Sequence, residues 1–147
     1  MSLTGPYDPD NIFARILRGE IPAVTVWEDD HVLAFMDVFP QSEGHVLVIS
    51  KTSKARNLLE VEPAVLARLA AAAQRTARAV DRALSPDGIS IMQFNGAAGG
   101  QSVFHLHVHI IPRWADRSLK AHGDGPMAGT PALRALADRI AAALEPG

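Results

Sequence analysis

The sequence predicts an α+β fold: an antiparallel sheet of about five strands with a short N-terminal helix, one long helix and a C-terminal helix. Two observations carry this expectation. Five short apolar runs are bounded by turn residues, and two stretches with apolar side chains at three- and four-residue steps interrupt and follow them. Strands grouped around separate helices, without regular βαβ alternation, exclude a doubly wound parallel sheet. With 147 residues, the chain is the size of one ordinary domain, so 1–147 is expected to build a single core.

Each element follows in order. Residues 1–9, rich in Gly and Pro, read as a loose arm. Asp10-Asn11 then caps a short helix carrying Ile12, Phe13, Ile16 and Leu17 on one side, and Gly19 ends it. Val24-Thr25-Val26-Trp27 and Val32-Leu33-Ala34-Phe35 flank the polar Glu28-Asp29-Asp30-His31 and predict a hairpin. His45-Val46-Leu47-Val48-Ile49, after the turn residues Pro40-Gln41-Ser42-Glu43-Gly44, adds a third strand and completes a meander. From 62 to 84, Val65, Leu66, Leu69, Ala73, Ala77, Val80 and Leu84 form one stripe, with Arg68, Arg75, Arg78 and Arg82 on other faces. After Ser85-Pro86-Asp87-Gly88, strands are expected over 89–94 and 104–111, joined by a glycine-rich loop. Beyond Pro112 the chain turns polar until Thr130-Pro131 starts a last helix with Leu133, Leu136, Ala137, Ile140 and Leu144 on one stripe.

Composition narrows the classes of function. A hydrophobic fraction of 48% with 20% charged residues is ordinary for a globular protein. The net charge of -2 gives no general attraction for nucleic acid or an anionic membrane, so an anionic ligand needs a specific site. With no cysteine, disulfides, thiolate catalysis and Cys-based zinc sites are excluded. No basic region precedes an apolar run at the start and no stretch approaches membrane-spanning length, which makes the cytoplasm the expected location.

The chemistry concentrates in His105-Leu106-His107-Val108-His109. Side chains alternate along a strand, so the three imidazoles are expected on one face and Leu106, Val108 and Ile110 on the other. Zinc is the rival explanation, but at roughly 3.3 Å per residue the outer Cα atoms lie about 13 Å apart, too far for three rings to converge on one ion. A metal would use a neighbouring pair and leave the third histidine unexplained. Covalent catalysis uses the spacing better: the central His107 attacks while its neighbours handle charge and protons. A neutral imidazole is nucleophilic near pH 7, and a hydrogen bond from its second nitrogen to a backbone carbonyl fixes the tautomer. In the preceding loop, Gly96, Gly99 and Gly100 allow close approach of backbone N–H groups to a phosphate, and Gln101 and Ser102 add side-chain donors.

With Ile110 and Ile111 appended, the motif resembles that of the histidine triad superfamily. So do Asp10-Asn11-Ile12-Phe13 with Gly19-Glu20-Ile21-Pro22, Ala34-Phe35-Met36-Asp37, Gly44-His45-Val46-Leu47-Val48-Ile49 and Ala98-Gly99-Gly100-Gln101-Ser102, in family order over about 10–115. A helical extension over about 130–145 lies beyond this core. The resemblance implies a homodimer whose two sheets become continuous, acting on nucleoside phosphoramidates or dinucleoside polyphosphates without a cofactor or obligatory metal. It makes His107 the nucleophile of a nucleotidyl-histidine intermediate, with His105 and His109 orienting it and managing protons. His45 is similar to a fourth histidine of that network. Asp37 matches the acid that holds the ribose hydroxyls, with Val38 beside it, and Ile12, Phe13, Ile21 and Phe35 resemble the walls around a purine base.

One departure is visible. Family members commonly have Asn at the position of Phe94, where it helps hold the phosphate; here Asn is at 95. Either a shift lets Asn95 do that work, or Phe94 makes the contact apolar. His109, where a transferase-like branch has Gln, favours hydrolysis, and the alternative is a nucleotide-binding sensor or scaffold without turnover. His31 and His122 match no motif and read as solvated loop residues.

Overall fold

Asn11 opens the first helix, α1 (Ile12–Leu17), by accepting the Ala14 N–H on its side-chain oxygen at 2.9 Å, and Gly19 follows its end with a positive φ of 77°. The computed structural model describes residues 3–120 and 127–146. Strands β1 (Thr25–Glu28), β2 (Val32–Met36) and β3 (Val46–Ser50) form the expected meander. Helix α2 (Pro63–Leu84) has Pro at its start, where the missing N–H costs nothing. Strands β4 (Gly88–Met92) and β5 (His107–Arg113) follow, then α3 (Thr130–Ala142).

The five strands lie in the order β1-β2-β3-β5-β4, every neighbouring pair antiparallel. Alternation gives the sheet two unlike faces. Ala34, Met36, Val46, Val48 and Ile110 point to α2 and α3 and join Leu69, Ala73, Val80, Leu133, Ala137 and Ile140 in the main core. Trp27 helps seat α2: its indole N–H donates to Thr76 Oγ1 at 2.9 Å, and the Arg75 guanidinium lies over its ring. The opposite face carries a smaller cluster of Phe13, Leu33, Phe35, Leu47 and Ile49, covered by α1.

Gly44 explains how β3 enters the sheet. Its φ is +92°, and a Cβ there would stand 2.4 Å from a Leu84 methyl carbon, so glycine lets the backbone pass against the end of α2. The described part of the arm expected to be loose is packed instead: the Asn57 side chain donates to the Leu3 carbonyl at 2.8 Å, and Tyr7 is half-buried. Strand β5 also starts later than the alternating pattern suggests. Its partner β3 ends at Ser50, whose hydroxyl accepts the Thr52 and Ser53 N–H groups in a turn, so residues before His107 have no ladder to join. The strand expected over 89–94 likewise ends at Met92.

Candidate active site

His107 and His109 leave β5 on the α1 face, opposite Ile49 and Leu47 of β3. His105 lies outside the strand, which corrects the expectation of three rings on one strand face. Its Nε2–H donates to the Ser50 carbonyl at 3.1 Å, so its Nδ1 accepts the Tyr7 hydroxyl at 2.7 Å. Burial pushes the His105 imidazole down to about 4, with the neighbouring His107 adding to the effect against the Ser50 hydrogen bond. A ring neutral at ordinary pH with both nitrogens engaged is a support for the backbone beside His107.

His107 Nδ1–H donates to the His105 carbonyl at 2.7 Å, which makes Nε2 the lone-pair nitrogen. The Phe13 ring meets His107 edge-on with centroids 5.0 Å apart, holding the imidazole plane. On its other side stands His109, also at 5.0 Å. His45, fully buried, accepts the Gln41 backbone N–H on Nδ1 at 3.1 Å. That assigns a proton to its Nε2, which faces His109 Nδ1 at 2.9 Å and Asp37 Oδ2 at 3.5 Å. The neutral His109 then carries its proton on Nε2. Asp37 is itself held by the Phe39 N–H, donated to Oδ1 at 2.8 Å. Gln41 is a member of this network that no sequence pattern singled out; a polar residue in a turn has no periodic signature.

Asp37, His45 and His109 offer metal-ligating atoms within 4.8 Å of one another. The 2.9 Å between the two imidazole nitrogens is a hydrogen-bond length. Two nitrogens at about 2 Å from a tetrahedral ion stand roughly 3.3 Å apart, so an ion would have to spread the pair.

His107 and His109 line a cavity of about 420 Å³ between the sheet and α1. Its walls include Ile12, Phe13, Ile21, Phe35, Asp37, Val38 and Ser102, joined by Ile16, Pro22, Ala23, Met36, Phe39, Leu47, Val103 and Met127. An apolar slot with a few convergent polar groups is the usual form of a small-ligand site.

Four expected residues stand elsewhere. Asn95 turns away from the histidines: its side-chain oxygen accepts the Leu58 N–H at 2.9 Å and its amide pairs with Gln93. No shift brings it into the place of Phe94, whose ring lies edge-on to His109 with centroids 5.5 Å apart. Gln101 is buried and spent inside its own loop, its amide donating to the Arg56 and Val103 carbonyls and its oxygen accepting the Gly96 N–H. The N–H groups of Gly99 and Gly100 bond to the Gly96 and Ala97 carbonyls, so they shape the loop and do not present donors outward. Gly100, with φ of +104°, has Phe94 packed where a Cβ would be. Ser102 remains at the cavity rim. His31 is exposed as expected, and His122 lies outside the described residues.

Paired imidazoles, a buried carboxylate and an apolar slot on one sheet face define a small-ligand site. The chain belongs to the HIT family, whose domain model matches residues 18–116. It is similar in structure to a Hit-like protein of Bartonella henselae, with 47% identity, a TM-score of 0.90, and coverage of 95% of this chain and 100% of that one. A histidine triad nucleotide-binding protein of Sulfolobus tokodaii is 31% identical with a TM-score of 0.79, covering 89% of each chain. Adenylylsulfatase HINT3 of Arabidopsis thaliana is 39% identical over 119 residues, which are 77% of this chain and 60% of its own length.

Proposed function

We propose that this protein is a homodimeric nucleotide hydrolase of the cytoplasm that cleaves the P–N or P–O–P bond of a purine nucleoside phosphoramidate or dinucleoside polyphosphate. The observation that carries the reading is the His107 tautomer, with Nδ1–H bonded to the His105 carbonyl and the ring lining a cavity that also holds Asp37 and Ser102. Membership of the HIT family and the nucleotide-binding and adenylylsulfatase relatives support a nucleotide as ligand and hydrolysis as reaction.

In this mechanism the Nε2 lone pair of His107 attacks the α-phosphorus, forming a phosphorus–nitrogen bond as the bond to the leaving amine or phosphate breaks. His109 Nε2–H hydrogen-bonds the leaving group, which takes its proton from solvent, and His45, held by Gln41 and next to Asp37, orients His109 through its Nδ1. Water then attacks the same phosphorus and gives its proton to solvent, and the bond to His107 breaks to release a nucleoside monophosphate. Asp37 accepts hydrogen bonds from the ribose hydroxyls while Ile12, Phe13, Ile21 and Phe35 enclose the base. Ser102 supports the phosphate, and Phe94 gives its flank an apolar wall. The reaction needs no cofactor, metal, nucleic acid or membrane; among the described residues no helix is long and apolar enough to cross one.

A second copy belongs at β4. This strand ends the sheet with one edge uncovered, carries Ile91 at 51% exposure, and borders an apolar groove of about 500 Å³ lined by Leu58, Leu66, Ala70 and Leu106 among others. Pairing two such edges would continue the sheet and cover the grooves.

The test is turnover of an adenosine phosphoramidate and a diadenosine polyphosphate, with and without chelator, by wild type and His107→Ala. Chelator-indifferent AMP release that vanishes in the variant is expected. Tight AMP binding without release, or release surviving the substitution, would overturn the proposal.

A further inference from the structure

The backbone at His105 precedes the β5 ladder, yet its carbonyl is what orients the His107 ring at 2.7 Å. The Leu106 N–H bonded to the Ala55 carbonyl at 3.0 Å is one local anchor. The His105 ring supplies two more, one at Ser50 and one at Tyr7, which arrives from ninety-eight residues away in sequence. Tyr7 meets the His105 ring edge-on with centroids 5.8 Å apart.

We infer that Tyr7 is a positioning residue for the triad: its hydroxyl, donated to Nδ1, holds in place the His105 ring whose tautomer Ser50 sets, and thereby the carbonyl that orients His107. The inference rests on reading His107 as the nucleophile. The Ser50 carbonyl can only accept, so it sets the proton of the neutral His105 ring on Nε2 and leaves Nδ1 a lone pair that the Tyr7 hydroxyl engages. Burial keeps the ring neutral, the form able to accept the phenol proton. Neither Tyr7 nor His105 lines the cavity, so the effect reaches the ligand only through His107. The arm thus contributes to the geometry of the nucleophile.

The experiment uses the full chain and two changes at Tyr7, with imidazole nitrogen NMR and steady-state kinetics read together. Tyr7→Phe keeps the ring and removes the donor. Because Tyr7 is the sole tyrosine, biosynthetic incorporation of 3-fluorotyrosine places a stronger donor at this position alone. In Tyr7→Phe the His105 Nδ1 signal is expected to move toward that of an unbonded lone-pair nitrogen and the His107 Nδ1 proton to exchange faster; 3-fluorotyrosine moves both the other way. With a hydrogen bond contributing about 1 kcal/mol, kcat falls roughly three- to tenfold in Tyr7→Phe while KM stays within about twofold. Leu3→Ala, which alters the arm but keeps the hydroxyl, leaves the His105 and His107 signals in place. Unchanged signals in Tyr7→Phe, or the same changes in Leu3→Ala, would overturn the inference. Absence of turnover in wild type would instead sink the hydrolase reading, leaving the NMR result to decide the role of Tyr7.

Discussion

On one side of the sheet, Ala34, Val46, Val48 and Ile110 meet two helices and a continuous apolar core; on the other, the same strands set Phe35, Leu47 and Ile49 beside His107 and His109. The first face is covered by α2 and α3, with the apolar groove at its β4 margin. The second is covered by six-residue α1 and the N-terminal arm, and it retains a cavity. Packing density supplies stability on the helical face, whereas the histidine face keeps room for a ligand and replaces packing with hydrogen bonds that fix tautomers. A single alternating strand, β5, serves both purposes, because consecutive residues point to opposite faces.

This division breaks if substitutions on one face carry the effects expected of the other. The largest effect belongs to His107→Ala, for which AMP release should fall by on the order of 10⁴-fold or more, as for loss of other catalytic nucleophiles. Its thermal melt should stay close to wild type. Leu69→Ala on the helical face should do the reverse: about 2–5 kcal/mol lost in a urea melt, with kcat of the folded protein unchanged.

Acid should act through the histidine face. The unfolded His105 takes a proton near 6.5, whereas the folded ring resists it until about 4, so between those values the unfolded chain binds more protons. This contribution is therefore complete above 6.5 and is lost as pH falls through that window, up to about 3 kcal/mol. Urea midpoints between pH 7 and 4 measure it; a His105→Gln variant should show a flatter profile. The smallest effect sharpens the comparison: Asn11→Ala removes the α1 cap, costs about 1 kcal/mol by thermal melt and raises KM more than it lowers kcat, because Phe13 and Ile12 form the cavity wall.

The helical face was legible in the sequence because its code is local. Apolar steps of three and four residues placed α2 and α3, and short apolar runs bounded by turn residues placed β1 to β3. The cavity walls at Ile12, Phe13, Ile21, Phe35, Asp37 and Val38 were also found, through resemblance to a family and not through periodicity. What escaped was set by partners distant in sequence. Alternation continues through His105, but a strand needs a neighbour, and β3 stops at Ser50. Tyr7 sits in a Gly- and Pro-rich arm that gives no sign of its contact with His105. Gln101 and Asn95 have the chemistry of phosphate donors, yet their hydrogen bonds are taken by Arg56, Val103, Gly96, Leu58 and Gln93. Residue type alone does not reveal a donor already in use.

The loop from Gly96 to Gln101 has a kinetic consequence. Its N–H groups bond to the Gly96 and Ala97 carbonyls and to the Gln101 side chain, which is pinned in turn to Arg56 and Val103. A segment ordered during folding has no disorder to surrender when a ligand arrives. Association at the cavity beside this loop should follow single-exponential kinetics that rise linearly with ligand concentration, without the plateau that a loop-closing step would impose.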